Sequence, residues 1–82
     1  ILGAQMKIGD AVMFVETEKY PAFFGAIGII SHCSKAGPDG EIDVSRHHVR
    51  VCWIEPVKWF RRFSTFSDFP AKYFQAASPD VE

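Results

Sequence analysis

Histidine and cysteine are the residues of this chain that could bind a metal ion. Five are present: His32, Cys33, His47, His48 and Cys52. Zinc prefers these ligands, but the usual Cys-x-x-Cys and His-x-x-x-His spacings do not occur in the sequence. Adjacent residues of a strand point to opposite faces, so only one of His47 and His48 could join His32 across a hairpin of unknown register. We therefore expect no metal and no cofactor.

Nucleophilic catalysis is the second chemistry that these residues could support. It would need a thiolate beside a histidine and an orienting acid. Cys33 directly follows His32, so in a strand their side chains would point apart. Cys52 alternates with apolar neighbours, which is typical of a small buried residue. The acids are scattered, and Gly25-x-x-Gly28 lacks the rest of a phosphate-binding loop. We expect a protein that is not an enzyme, with free thiols in a reducing cytoplasm.

Nucleic-acid binding is the third possibility, and it rests on residues 46–62. Five basic residues and one acid give this segment a charge of +4, although the whole chain has a net charge of −1. The run "KWFRRF" (58–63) interleaves rings with cations, which suits stacking on bases and contact with phosphates. In a regular strand Arg61 and Arg62 would point apart. The alternative is an edge strand protected by charge, or a basic face that meets another subunit.

An aromatic cage for a cationic, methyl-lysine-like ligand is the fourth possibility. A cation over one ring gains about 0.5–2 kcal/mol, and several rings add to this. The candidates are Tyr20, Phe23, Phe24, Trp53 and Trp59. The alternative is that large rings fill the core of a small domain. We expect Phe24 to be buried and Phe23 to point the opposite way.

These residues must be positioned by strands, because no segment shows helical periodicity. Apolar runs and alternation predict strands at 11–15, 23–34, 42–55 and 57–66. In the third, Val49, Val51 and Trp53 share one face. Pro56 is expected to end that strand, and the strongest turn signal lies at 37–40, "GPDG".

The residue pattern at 67–74 predicts a short helical turn followed by a closing strand. Ser67 or Asp68 could cap the turn, and Pro70 suits its first residues. Residues 6–77 would then form a single domain, a small all-β barrel of about five strands with the helical turn before the last. Closure would remove exposed strand edges. Because Met6 resembles a natural initiator, we expect residues 1–5 to be an added remnant and residues 78–82 a flexible tail.

Two segments resemble the SH3-like barrels. "IGDAVMFVE" (8–16) with "FFGAIGII" (23–30) is similar to their opening hairpin, and "DFPAKYF" (68–74) to their ending. Residues 9–25 with "HVRVCW" also resemble the Tudor and PWWP group, which implies an aromatic cage, although Pro21-Ala22-Phe23-Phe24 replaces Pro-Trp-Trp-Pro.

Two further resemblances concern small barrels. Plasmid-type dihydrofolate reductases carry Val-Gln-Ile-Tyr in their pore strand, where this chain has "VRVCW" (49–53), so the residues implied for catalysis are missing. In size and style the whole chain resembles barrel proteins carried on integron gene cassettes, many of them of unassigned function.

Together these features predict a non-enzymatic binding module that self-associates as a dimer or tetramer. Oligomerisation would also stabilise a small barrel. Interfaces favour aromatic residues, Met and Arg. The expected interface residues are Met13, Tyr20, Phe23, Trp59, Phe60, Arg61, Arg62 and Phe63. Another protein, nucleic acid and a cationic ligand are the alternative partners. We expect no membrane partner, because no apolar run approaches about 18 residues and no secretory signal is recognisable.

Overall fold

The computed structural model describes residues 6–34 and 41–77, and this part of the chain is all-β. The predicted all-β class is therefore confirmed. Along the chain the strands are β1 (Met6–Lys7), β2 (Ala11–Phe14), β3 (Ile27–Cys33), β4 (Glu41–Ile42), β5 (His48–Trp59), β6 (Arg62–Pro70) and β7 (Phe74–Ala76). Two 3₁₀ turns span Pro21–Phe23 and Ala71–Tyr73. The predictions for residues 1–5, 37–40 and 78–82 lie outside the described residues.

The strands form two antiparallel sheets. One pairs β1 with β4, and the other has five strands in the order β6-β5-β3-β2-β7. The end strands β6 and β7 are not paired with each other, so the described part of the sheet is open and the expected closure into a barrel is not seen there. Every neighbouring pair in the larger sheet is antiparallel, which allows one face to be buried and the other to meet water.

The long hairpin β5–β6 differs from the sequence prediction. Val49, Val51 and Trp53 share the buried face as expected, but Pro56 does not end the strand. It lies in a register shift between Cys52 and Val57, and prolines are tolerated at such irregularities because ladder bonding is interrupted there. The predicted strand 57–66 is also wrong, because the chain reverses after Trp59 and β6 starts at Arg62.

The predicted helical turn before the last strand is present, but its start differs. It begins after Pro70 and lacks a side-chain cap, while Ser67 and Asp68 belong to β6. The predicted cap is therefore wrong. The two residues instead hydrogen-bond to side chains of β5, as described below.

Aromatic rings fill the core between the sheet and the two 3₁₀ turns. Phe14 is fully buried, and the rings within 6.5 Å of its centroid are those of Phe23, Trp53, Phe69, Tyr73 and Phe74. The expected orientations of Phe23 and Phe24 are reversed, with Phe23 3% exposed and Phe24 57% exposed. Strand alternation does not apply here, because Phe23 ends a 3₁₀ turn that directs its ring inward.

Candidate binding surfaces

The outer face of the five-stranded sheet carries a group of apolar side chains that the core does not bury. We call it the outer apolar band. Its exposed members are Ile27, Ile29, Cys52, Ile54 and Phe66, and Met13 is a half-buried member. Cys52 is exposed, so the expectation that it would be buried is wrong. It alternates with Val51 and Trp53, which occupy the buried face of the same strand.

The band is continuous because its members are paired across strands. Ala11 of β2 lies opposite Ile29, Ile29 lies opposite Cys52, and Cys52 lies opposite Phe66 of β6. Met13 lies opposite Ile27 in the adjacent row. Directly opposed residues share a face of the sheet. A water-facing side of an antiparallel sheet is normally polar, so a band that crosses four strands requires an explanation.

A polar row borders the band on one side. His32 lies opposite Arg50, which lies opposite Asp68. The Arg50 guanidinium donates through Nε to Asp68 Oδ1 (2.9 Å) and through Nη2 to Oδ2 (3.1 Å). It also lies 4.9 Å from the centre of the Phe66 ring. These hydrogen bonds from Arg50 hold the pKa of Asp68 below its usual range, and the positive charges of Arg50, His32 and His48 add to the effect.

The tip of the β5–β6 hairpin is a second surface, formed by residues 58–63. Trp59 pairs with Arg62, so Phe60 and Arg61 form the turn. Phe60 is 78% exposed and Phe63 67% exposed. Phe60 has a φ of 58°, the only positive value at a residue other than glycine in the described chain.

The basic segment 46–62 does not form one continuous positive surface. Arg46 forms an ion pair with Asp43 (3.1 Å), and Arg50 is paired with Asp68. Within the described ranges, Lys58, Arg61 and Arg62 form no ion pair, and all three are exposed. The unpaired positive charge of this segment is therefore concentrated at the hairpin tip.

The aromatic residues proposed for a cation cage do come together, but they pack on one another. Trp59 lies 5.7 Å from Tyr20 and 5.3 Å from Phe23, measured between ring centroids. Tyr20 and Trp59 are half-buried, and Phe23 and Trp53 are closed off in the core. Phe24 points away from them into solvent. This arrangement leaves the Phe23 ring unavailable to a ligand, so a cage is not the function that the geometry favours.

Two of the clefts on the described surface are well formed, and neither is lined by those rings. One has a volume of about 390 Å³ and lies between Gly25–Ile27 and Ile54–Val57, where β5 leaves its register with β6. The other has a volume of about 300 Å³ and lies at the polar row, between His32–Ser34, His48–Arg50 and Asp68.

Histidine and cysteine side chains do not assemble into a metal centre in the described part of the chain, where no group of three or more potential ligands is found. His47 has a structural contact instead, since its Nδ1 accepts a hydrogen bond from the backbone N–H of Asp43 (3.0 Å). Cys33 and Cys52 are free thiols.

The eight residues expected at an interface fall into three places. Met13 lies in the outer apolar band; Tyr20, Phe23 and Trp59 lie in the ring cluster; and Phe60, Arg61, Arg62 and Phe63 lie at the hairpin tip. Sequence reasoning missed Ile27, Ile29, Ile54 and Phe66. A signal was available in β3, because Ile29 and Ile30 are both apolar although they occupy opposite faces.

No family model matches the chain, and searches of curated proteins and of solved structures found no match. No helix within the described ranges has the length and apolar character required to cross a membrane.

Proposed function

We propose that the protein is a non-enzymatic binding module that self-associates through its outer apolar band. The observation that carries the proposal is the continuous row Ala11–Ile29–Cys52–Phe66 across four adjacent strands, in which Ala11 is half-buried and the other three side chains are exposed. Burying exposed apolar surface gains about 25 cal/mol per Å². A partner on this face would therefore be held by the same effect that packs the core.

A second copy of the chain is the occupant that the charges favour. In a two-fold dimer the same patch meets itself, so a patch with net charge would repel its copy. The polar row beside the band contains Arg50 and Asp68, which already neutralise each other through two hydrogen bonds. The hairpin tip has three unpaired cations and would repel its copy. For this reason we exclude Arg61 and Arg62 from the self-association surface. Met13 stays in it, because it lies in the outer apolar band.

We further infer an SH3-like architecture and a cytoplasmic location. The architecture is supported by the short meander of strands and by the 3₁₀ turn that directly precedes the last strand. The location is supported by the free thiols of Cys33 and Cys52, which suit a reducing compartment. The relationship to integron-cassette barrels stays a prediction.

Sedimentation equilibrium over a range of concentrations tests the self-association. We expect the wild-type protein to have a mass above the 9.2 kDa of one chain and to dissociate on dilution. Ile29→Thr and Phe66→Thr place threonine, a residue favoured in strands, at both positions but remove apolar contacts from the band. Each should weaken association about tenfold or more, because truncation at the centre of an interface typically costs more than 1 kcal/mol.

Phe24→Thr is the matched control, since Phe24 is also an exposed aromatic residue but follows the first 3₁₀ turn and belongs to no strand of the band. It should leave association unchanged. A wild-type protein that stays monomeric at the highest concentration would contradict the proposal and would point to a different partner for the band. An oligomer that Ile29→Thr and Phe66→Thr do not weaken would show that another face is used.

A further inference from the structure

The hairpin tip has a charge arrangement that self-association does not explain. Residues 56–67 contain three cations, Lys58, Arg61 and Arg62, and no acid. All three are exposed, and none forms an ion pair within the residues that the structure describes. Three unpaired cations on one short hairpin attract a polyanion.

Rings accompany these cations on both sides of the hairpin. Lys58 lies opposite Phe63 on one face, and Trp59 lies opposite Arg62 on the other. Phe60 and Arg61 form the apex between them. Because Arg61 is in the turn and Arg62 is in the strand, the alternation that would separate two adjacent strand residues does not apply. Each face of the hairpin tip therefore carries one ring and one cation, and the apex carries a further pair.

Phe60 is held in a conformation that its residue type disfavours. Its φ of 58° lies in the left-handed region, where bulky side chains are uncommon and glycine or asparagine is favoured. The ring gains little burial in return, since it is 78% exposed. Among the described aromatic residues its neighbour is the half-buried Trp59, with the ring centroids 4.6 Å apart. Strained backbone conformations cluster at active sites and ligand-binding positions, so this one motivates a search for a ligand.

The apex is better suited to a nucleic-acid strand than to a lipid bilayer. A bilayer would have to take up Arg61 together with Phe60, because the two residues share the turn. A guanidinium in an apolar layer is costly. A single strand of nucleic acid satisfies both residues, since its bases stack on exposed rings and its phosphates accept hydrogen bonds from arginine.

We propose that the β5–β6 hairpin tip binds single-stranded nucleic acid. Phe60 and Phe63 stack on bases, and Lys58, Arg61 and Arg62 contact the backbone phosphates. Recognition of this kind has little dependence on sequence, because every base has a face on which a ring can stack. The tip lies outside the outer apolar band, so this binding does not depend on self-association.

Fluorescence anisotropy with labelled oligothymidylate and oligouridylate of about eight nucleotides tests the proposal, and the length matches a short binding site. We expect binding at about 50 mM salt that weakens steeply by about 200 mM. Arg61→Gln/Arg62→Gln should weaken binding at least tenfold. It should also reduce the slope of log affinity against log salt by about 1.4, since each lost phosphate contact on a single strand contributes about 0.7.

Phe60→Asn separates stacking from charge and from folding. It should weaken binding about tenfold with an unchanged salt slope, because stacking on one ring is lost while the phosphate contacts remain. The same substitution should leave the unfolding midpoint equal or higher, since asparagine tolerates the positive φ. If Phe60→Asn loses affinity for the oligonucleotide but keeps its unfolding midpoint, the loss is due to binding and not to a fold that is less stable.

Lys7→Gln/Lys72→Gln is the matched control, because it removes two exposed positive charges away from the tip. It should retain most of the affinity. Absence of binding at about 50 mM salt would overturn the proposal, as would equal losses in the tip and control variants. Binding to phosphatidylserine vesicles without binding to either oligonucleotide would overturn it in favour of a membrane surface. Ile29→Thr changes the outer apolar band but not the hairpin tip, so it should still bind oligonucleotide. The two proposals can therefore fail independently of each other.

Discussion

At Gly28 the neighbouring strand β5 occupies the space that a side chain would need. A Cβ atom built at this position would overlap Val51 Cγ1 and lie 2.7 Å from the Cys52 carbonyl oxygen. The backbone of β5 cannot move aside without breaking its pairing with β3. We expect Gly28→Ala to lower the free energy of unfolding by about 3 kcal/mol, which is the upper end of typical overpacking costs. Urea unfolding followed by tryptophan fluorescence measures the change.

Gly25→Ala is the comparison for that experiment. Gly25 has a φ of 84°, and nothing lies within 4 Å of the position that a Cβ would take. Its substitution should cost only the conformational strain of a left-handed backbone, about 1–2 kcal/mol. A Gly28→Ala protein as stable as Gly25→Ala would mean that β3 and β5 are not as close as the structure places them.

At the scale of the strands, a side-chain hydrogen bond on the core side links β5 to β6, in addition to the exposed pair Arg50–Asp68. The indole Nε1–H of Trp53 donates to Ser67 Oγ at 3.0 Å, and Trp53 is only 6% exposed. Ser67→Ala would leave this buried donor without its partner. We expect the free energy of unfolding to fall by about 1–3 kcal/mol, the usual cost of such a group. Thermal and urea unfolding would give the value.

Ser64→Ala is the matched control, because Ser64 lies in the same strand, is half-buried and has no side-chain hydrogen bond among the described contacts. It should change stability by less than about 0.5 kcal/mol. The double variant Trp53→Phe/Ser67→Ala removes donor and acceptor together. If the two single losses simply add in that protein, the hydrogen bond does not form.

The sequence predicts the elements well where local alternation governs them. Val49, Val51 and Trp53 were placed correctly on one face of β5 because they alternate within a regular strand. Pro56 and the split of segment 57–66 were not predictable in the same way. The register shift near Pro56 depends on how β5 pairs with β6, and pairing with a distant segment leaves no local pattern in the sequence.

Of the two candidate surfaces, the sequence indicates the hairpin tip but not the outer apolar band. Composition alone identified Phe60, Arg61, Arg62 and Phe63, because rings and cations with no acid between them stand out in the sequence. The outer apolar band was missed. Isoleucines on both faces of β3 show that each face is apolar, but not which face the aromatic core covers. That choice is made by Phe14 and Phe23, which come from other parts of the chain.

At the scale of the whole molecule, the rings gather on one side of the sheet. Phe14 is fully buried among five other rings, and the strand residues Val12, Ile30, Val49 and Val51 belong to the same buried cluster. Among the described residues nothing covers the opposite face, where Ile27, Ile54 and Phe66 stay exposed. Under the self-association proposed above, a second copy would supply that layer.

Acid should destabilise this arrangement through Asp68. Hydrogen bonds from Arg50 lower the pKa of Asp68 in the folded protein below the 3.8 of a free aspartate. The folded state therefore binds the proton less readily than the unfolded state. Asp68 stabilises the fold above about pH 4, and that contribution is lost as the pH falls below 3.8 through the lower folded-state pKa. The pair is exposed, so we expect a small effect.

Urea unfolding between about pH 2.5 and pH 7 measures this contribution. Asp68→Asn should be less stable than the wild type at neutral pH, and the difference should vanish at the acid end. Glu55→Gln removes another exposed acid that has no ion pair among the described residues and serves as the control. Protonated Asp68 would also leave Arg50 uncompensated beside the outer apolar band in both copies, so sedimentation should show weaker association in acid. An Asp68→Asn protein whose stability follows the wild type at every pH would contradict the role assigned to this pair.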